Sequence, residues 1–423
     1  MEGGNSASAE PTIQTRSQLI ELLTVAAGIE HSLLAQYLYA ALSLKASVEE
    51  GLTEDQLVDV AHWERMILMV ARQEMEHLGL VCNLLTSIGG APNFRIPSFP
   101  YATPLLPHTM ELLPFSASTL RRFVCFEAPE GHTPSYCEGP LTPVPGPFQF
   151  HTVQELYDRI RQGFQTLGAK PGLFLVDSAS QLDGSQIGTD FPHLGSSGGA
   201  YDVFLFAIQD LPSAVRAIDL IIEQGEGSRT TPTDGGNPSH FQVFTQMLAD
   251  LEARTDGLAP ARSVIANPCL YEREGANTLT EPETRMVAQL FQDAYNTMLF
   301  MLVRLFAHTN ETEAELSELR NAAFFPFMTM VIRPLSEILT SLPSGSPGLN
   351  AGPVFEVDPG LDFLPHRTAA WVILSERIHQ HAAAASACAQ AYGDSGPGAR
   401  LSYIAESLSL MAQRFDFSMG VSS

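Results

Sequence analysis

The sequence predicts an all-α fold: a four-helix bundle with long irregular inserts and additional C-terminal helices. Three observations carry this expectation. Long apolar stripes recur at helical spacing from about residue 16 to the end of the chain. No convincing pair of alternating strands interrupts them. Carboxylates and histidines break four of these stripes at spacings that turn them inward, and an inward carboxylate needs a partner because an isolated buried charge is very costly.

The first helix is expected over about 16–45, with Leu19, Leu23, Ala26, Ala27, Leu33, Leu34, Leu38 and Ala41 on its apolar stripe. Glu30 shares the angular position of Leu23 and Tyr37, seven residues to either side, and so faces inward. A hydrogen bond accepted by Glu30 from Tyr37 or from a neighbouring helix is the alternative to metal binding. The second helix is expected to start at Thr53, which with Gln56 matches a capping box, and to stop at Gly89-Gly90. It carries Glu74 and His77, one turn apart on the face of Ile67, Val70, Leu78 and Val81. Glu76 is expected in solvent or behind the site.

Prolines recur from 91 to about 152, a Pro-rich insert too long for an ordinary loop, holding one short helix near 118–126. An amphipathic helix follows over about 153–167. His108, His132 and His151 in these regions read as loop histidines. The third bundle helix opens with Asp210 as cap and Pro212 in its first turn, and ends at Gly227. Asp219, Glu223 and Glu226 share one face; that face is either solvated or partly turned to the core. Gly225 in the last turn costs about 1 kcal/mol of helix stability relative to Ala, which suggests a close backbone approach there. The fourth helix begins at Ser239, with His240 in its first turn, where the helix start disfavours a protonated imidazole.

Further helices are expected over about 280–308, 311–342 (bent at Pro326 or Pro334), 367–392 and 399–415. Arg304 lies inside the most apolar run, which reads as a core helix. His379 and His381 read as surface histidines. The expected organisation is a disordered tail over 1–15, a metal-binding bundle over 16–260 with its insert at 91–152, and C-terminal helices over 261–423 packed on the bundle.

Composition narrows the function. The chain has 423 residues, 47 acidic against 23 basic, and a formal net charge of −24. Nucleic acid and anionic membrane surfaces both call for basic patches, so neither is an expected partner. No run of 18 apolar residues is free of charge, so no membrane span is expected, and the small polar N-terminus does not read as a signal peptide. The five cysteines form no CxxC pair; reduced thiols in a cytoplasmic protein are expected. The expected partner is a small-molecule substrate, with the chain a monomer or small homo-oligomer.

Collected, the inward groups are Glu30, Glu74, His77, Glu223, Glu226 and His240. Four carboxylates and two imidazoles make up the ligand set of a carboxylate-bridged di-iron or di-manganese centre in a helical bundle. Bridging carboxylates hold two metals about 3.5–4 Å apart. The second half departs from the usual pattern: Glu223 and Glu226 share a helix and His240 stands alone, so one metal or two remains open at this stage.

Glu30-His31, Gln36-Tyr37-Leu38, Arg72-Gln73-Glu74-Met75-Glu76-His77, Asn83-Leu84-Leu85 and Ile88-Gly89-Gly90-Ala91-Pro92 resemble the ferritin-like domain of the iminophenyl-pyruvate dimer synthase type. That domain forms the N-terminal part of chromopyrrolate-forming and violacein-pathway enzymes. Phe126-Glu127-Ala128-Pro129-Glu130, Glu223-Gln224-Gly225-Glu226-Gly227 and Ser239-His240-Phe241 are similar to it too, over roughly 15–260 in all. The resemblance implies a ferritin-like fold and an oxidative step of secondary metabolism on an amino-acid-derived substrate.

The leading expectation is therefore a di-iron (or manganese) oxidase or oxygenase that uses O2. Glu223 is a ligand or base in it, and Tyr37 a hydrogen-bond donor or radical carrier. The alternatives are a non-catalytic ferritin-like metal-binding or scaffold protein, and a metal-free bundle with a solvated acidic face.

Overall fold

The computed structural model describes residues 12–103, 109–137, 150, 152–178, 181–184, 204–227, 238–307, 310–360 and 366–418. Helix α1 (Arg16–Ser43) opens on a capping box between Thr15 and Gln18. Its second half, from Ile29 onward, is buried on almost every side. Helix α2 (Glu54–Ser87) opens on the Thr53–Gln56 capping box. It stops where Gly89 adopts φ +84° and the Gly90 N–H reaches back 2.8 Å to the Leu85 carbonyl, a left-handed turn that suits glycine. The two long helices pack on each other and form one side of the site.

The other side is built from four shorter helices rather than two. These are α3 (Ala117–Phe126), α4 (Val153–Gly168), α5 (Leu211–Glu226) and α6 (His240–Glu252). Helix α3 packs on α6, and α4 on both α5 and α1. Asp210 and Ser239 cap α5 and α6 with capping boxes, as their sequences dictate.

Helices α7 (Pro282–Ala307), α8 (Glu313–Ala322), α9 (Arg333–Leu339), α10 (Arg367–Tyr392) and α11 (Gly396–Ser418) follow. Helix α7 packs against α2 and α10, and α9 touches α1. One continuous apolar core runs from Ile13 to Phe415. Two helical runs, Arg16–Ser43 and Glu313–Leu339, are long and apolar enough to cross a membrane by composition; among the described residues, 67% and 62% of these windows are buried inside the protein.

Several expectations are corrected here. Of the tail, residues 1–11 lie outside the described residues, but Ile13 is buried and Thr15 caps α1, so 12–15 belong to the fold. The helix expected to bend at Pro326 or Pro334 contains a ten-residue π-helix, Ala323–Ile332, with Pro326 inside it; Pro334 is the second residue of α9, which follows without a break. His381 is buried and bonded to Thr297 Oγ1 at 2.8 Å; only His379, paired with Asp416, is exposed. Glu76 is buried beside Arg72, 3.5 Å away, not solvated.

The thiols are not all reduced. Cys125, in the last turn of α3, is bonded to Cys137, and Cys82, Cys269 and Cys388 are free. Spacing alone does not reveal this pair, because the chain must first turn back through Pro129–Pro134 to bring the two Cα atoms to 5.5 Å. His132 lies exposed on this turn, while His108 and His151 lie outside the described residues.

Candidate metal centre

Five buried side chains converge where α1 and α2 face α3 and α6. Glu30, Glu74 and His77 form one group, and Glu74, Glu127 and His240 a second; in each, one ligand atom per residue lies within 4.8 Å of the others. Glu74 belongs to both. His77 Nδ1 stands 3.4 Å from Glu30 Oε2 and 3.4 Å from Glu74 Oε2. On the other side His240 Nδ1 stands 2.9 Å from Glu74 Oε1 and 3.6 Å from Glu127 Oε1. The two imidazole rings are stacked with centroids 5.5 Å apart.

Each outer ligand residue has a neutral partner behind it. Tyr157 on α4 donates its hydroxyl to Glu30, and Tyr37 on α1 donates to Glu127. His77 Nε2 donates to Gln224 Oε1 at 2.8 Å, and His240 Nε2 to Gln73 Oε1 at 3.2 Å. All four partners are buried. Tyr37 cannot serve Glu30, because seven residues of helix separate them by about 10 Å along the axis; it reaches the far half of the site, packed between Phe123 and Phe244.

Without a cation the centre is held by protons. Burial, reinforced by the Glu74 charge, pushes the Glu30 carboxyl up to about 8. Burial also raises Glu127, despite the opposing pull of His240. For Glu74 burial is again the largest influence, but the His240 and His77 contacts outweigh it together and hold this carboxyl well below the usual range. Burial would lower both imidazoles; the carboxylates around them reverse the sign, raising His77 well above its ordinary value and His240 to about 9. Three carboxylates facing two imidazoles thus bind positive charge in whatever form is offered.

The donor set fits two metal ions. Glu74 Oε2 and His240 Nδ1 are buried without a hydrogen bond of acceptable geometry, although His240 Nδ1 lies 2.9 Å from a carboxylate oxygen. Lone pairs aimed at a shared point, rather than along donor–acceptor lines, are what cation ligands present. The cavity enclosed by Glu30, Glu74, Glu127, Tyr157 and Glu226 measures about 20 Å³, room for one or two water-sized occupants. Buried Glu and His groups of this kind, on this fold, are compatible with a di-metal site.

The structure brings together four of the six predicted ligand residues: Glu30, Glu74, His77 and His240. Glu226 lines the cavity but belongs to neither group; its Oε1 accepts the backbone N–H of Gln154 at 2.8 Å, at the N-terminus of α4, where a carboxylate is favoured. Glu223 is a correction. It is half-buried, lies outside both groups and does not line the cavity, because the inward position of that turn is taken by Gln224. Glu127 fills the expected carboxylate on the second half and was not among the predicted ligand residues. It caps the C-terminal end of α3 ahead of Ala128-Pro129, so no helical stripe points to it; the Phe126–Glu130 motif was its signal. The close approach expected at Gly225 is to this residue: a Cβ there would lie 3.4 Å from Glu127 Oε2.

A buried cluster of carboxylates and imidazoles shared between bundle helices defines a ferritin-like protein. The chain belongs to the ferritin-like family, which matches residues 23–249. It is 32% identical to dichlorochromopyrrolate synthase of Lentzea aerocolonigenes, over 92% of this chain and 40% of that one. It is 31% identical to 2-imino-3-(indol-3-yl)propanoate dimerase of Chromobacterium violaceum, over 81% of this chain and 34% of that one. The match thus spans about two-fifths or less of these relatives' lengths. A ferritin-like protein from Caulobacter vibrioides is similar in structure over 74% of this chain and 97% of its own, at 19% identity and a TM-score of 0.47. Both relatives bear the names of enzymes, and this chain is a ferritin-like protein similar to part of each.

Proposed function

We propose that the chain is a di-metal oxidase or oxygenase of secondary metabolism that uses O2 and acts on a small molecule derived from an aromatic amino acid. The observation that carries this reading is the sharing of Glu74 between two buried groups, one with Glu30 and His77, the other with Glu127 and His240. The relatives' names add the substrate class, an indole-bearing 2-imino acid in one case. Iron is the proposed metal, with manganese as the alternative.

Two bound metals would supply the redox equivalents and Lewis acidity for reaction with O2. The chain's own residues do the rest. Glu30, Glu74 and His77 would hold one metal, and Glu74, Glu127 and His240 the other. Tyr157 and Tyr37 hold a proton against the outer carboxylates and keep them oriented. Leu33, Val153, Ile221 and Ile222 exclude water from the cavity. Glu226, on the cavity wall, is the proposed proton acceptor in place of Glu223.

The small cavity favours a second reading, a non-catalytic metal-binding or scaffold protein, because it admits ions more readily than an indole. One experiment separates the two. Protein purified without chelator is assayed for metal per chain, then for O2 uptake with the 2-imino acid generated from tryptophan. About two irons per chain and substrate-dependent O2 uptake support the enzyme. Metal binding without uptake supports metal binding without catalysis, and absence of any divalent metal overturns the enzyme and leaves only the scaffold.

A further inference from the structure

We propose that Gln73 and Gln224 are a matched pair of positioning residues that turn both imidazoles Nδ1-inward. The proposal rests on the metal-binding reading above. A ring has two nitrogens, and whichever keeps its proton cannot ligate; an acceptor behind one nitrogen therefore chooses the other. Here the acceptor is an amide oxygen in both cases, and the pairing is crossed. Gln224 on α5 holds His77 of α2, and Gln73 of α2 holds His240 of α6. The two bonds lace α2 to the two helices opposite it.

Folding alone does not call for these amides. Gln73 is 4% exposed and Gln224 2%, positions where a leucine would bury well and an unsatisfied amide would be costly. Both sit in the turn that bears a carboxylate of the site region, Gln73 immediately before Glu74 and Gln224 two residues before Glu226. An amide also adds no charge. The ligand set stays at three carboxylates and two neutral imidazoles, whereas a carboxylate behind each ring would draw on the Nε2 proton and make the imidazole a stronger donor.

The test uses the full chain loaded with cobalt(II) as probe. Proton spectra are read for solvent-exchangeable, hyperfine-shifted imidazole N–H resonances, and the affinity of each site is measured by competition with a chelating dye. Wild type should take two cobalt ions and show two such resonances. Gln224→Leu should lose the resonance of His77 to exchange with water and weaken that site about 10–100-fold, leaving the other within twofold. Gln73→Leu should do the same for His240. Gln224→Glu and Gln73→Glu keep the acceptor, and should restore both resonance and affinity even where a leucine variant folds poorly. Two unchanged resonances and unchanged affinities in the leucine variants would overturn the role while leaving the metal centre standing. A wild type that takes no cobalt removes the metal centre, and this role with it.

Discussion

His240 Nδ1 lies 2.9 Å from Glu74 Oε1, while the second oxygen of the same carboxylate faces His77 Nδ1 at 3.4 Å. One side chain on α2 therefore serves both halves of the centre. Glu74→Ala should abolish binding at both positions, whereas Glu30→Ala and Glu127→Ala should each leave about one metal per chain. Elemental analysis of freshly loaded protein decides this, and two metals retained by Glu74→Ala would remove the bridge.

The metal-free protein should lose stability as pH rises from about 4.5 to 9. Glu30 is pushed up to about 8 in the fold, so the stability tied to its proton is complete below its ordinary value of 4.5 and is lost as pH climbs through 8. His240 adds a loss between 6.5 and about 9. Glu74 moves the opposite way, and its contribution fails only in strong acid. Metal loading should reverse the alkaline trend, since ligands must shed protons to bind. Melting temperatures with and without metal across this range provide the check; a metal-free protein that gains stability toward pH 9 would contradict the assignment.

Tyr157→Phe removes the hydroxyl that donates to Glu30 and leaves the ring in place. The buried carboxyl then loses this donor and keeps its contact with His77, at a cost of about 1–3 kcal/mol. Tyr37→Phe should cost a similar amount at Glu127. Urea unfolding of the metal-free variants measures both, and a Tyr157→Phe protein as stable as wild type would show that this bond contributes nothing net.

Oxidised, denatured protein should titrate with three free thiols, and reduced protein with five. The Cys125–Cys137 bond closes a short loop that contains Glu127, and loop closure of this size is worth about 3 kcal/mol. Cys137→Ser should lower stability by about that amount. Five thiols before reduction would mean that the pair does not form.

Gly225→Ala separates folding from binding. A helical alanine gains about 1 kcal/mol over glycine, yet its methyl would stand 3.4 Å from Glu127 Oε2 on the wall of an ion-sized cavity. The metal-free variant should melt higher and bind metal more weakly. Stronger metal binding would show that the wall has room to spare.

The helices were legible because their signals are local. The capping box at Thr53 and the cap at Asp210 mark helix starts, Gly89 marks a stop, and the inward turn of Glu30, Glu74 and His77 follows from 3.6-residue periodicity against an apolar stripe. These features depend only on residues within a turn or two of one another, so the chain by itself determined the all-α class and one half of the candidate centre. Glu127 at a helix end, Gln224 in place of Glu223, Tyr157 from a helix outside the predicted four, and the Cys125–Cys137 pair were decided only by the tertiary structure. Each joins residues far apart in the chain, or chooses between neighbours on one turn. That choice belongs to how α3 to α6 pack against α1 and α2, and no local periodicity encodes it.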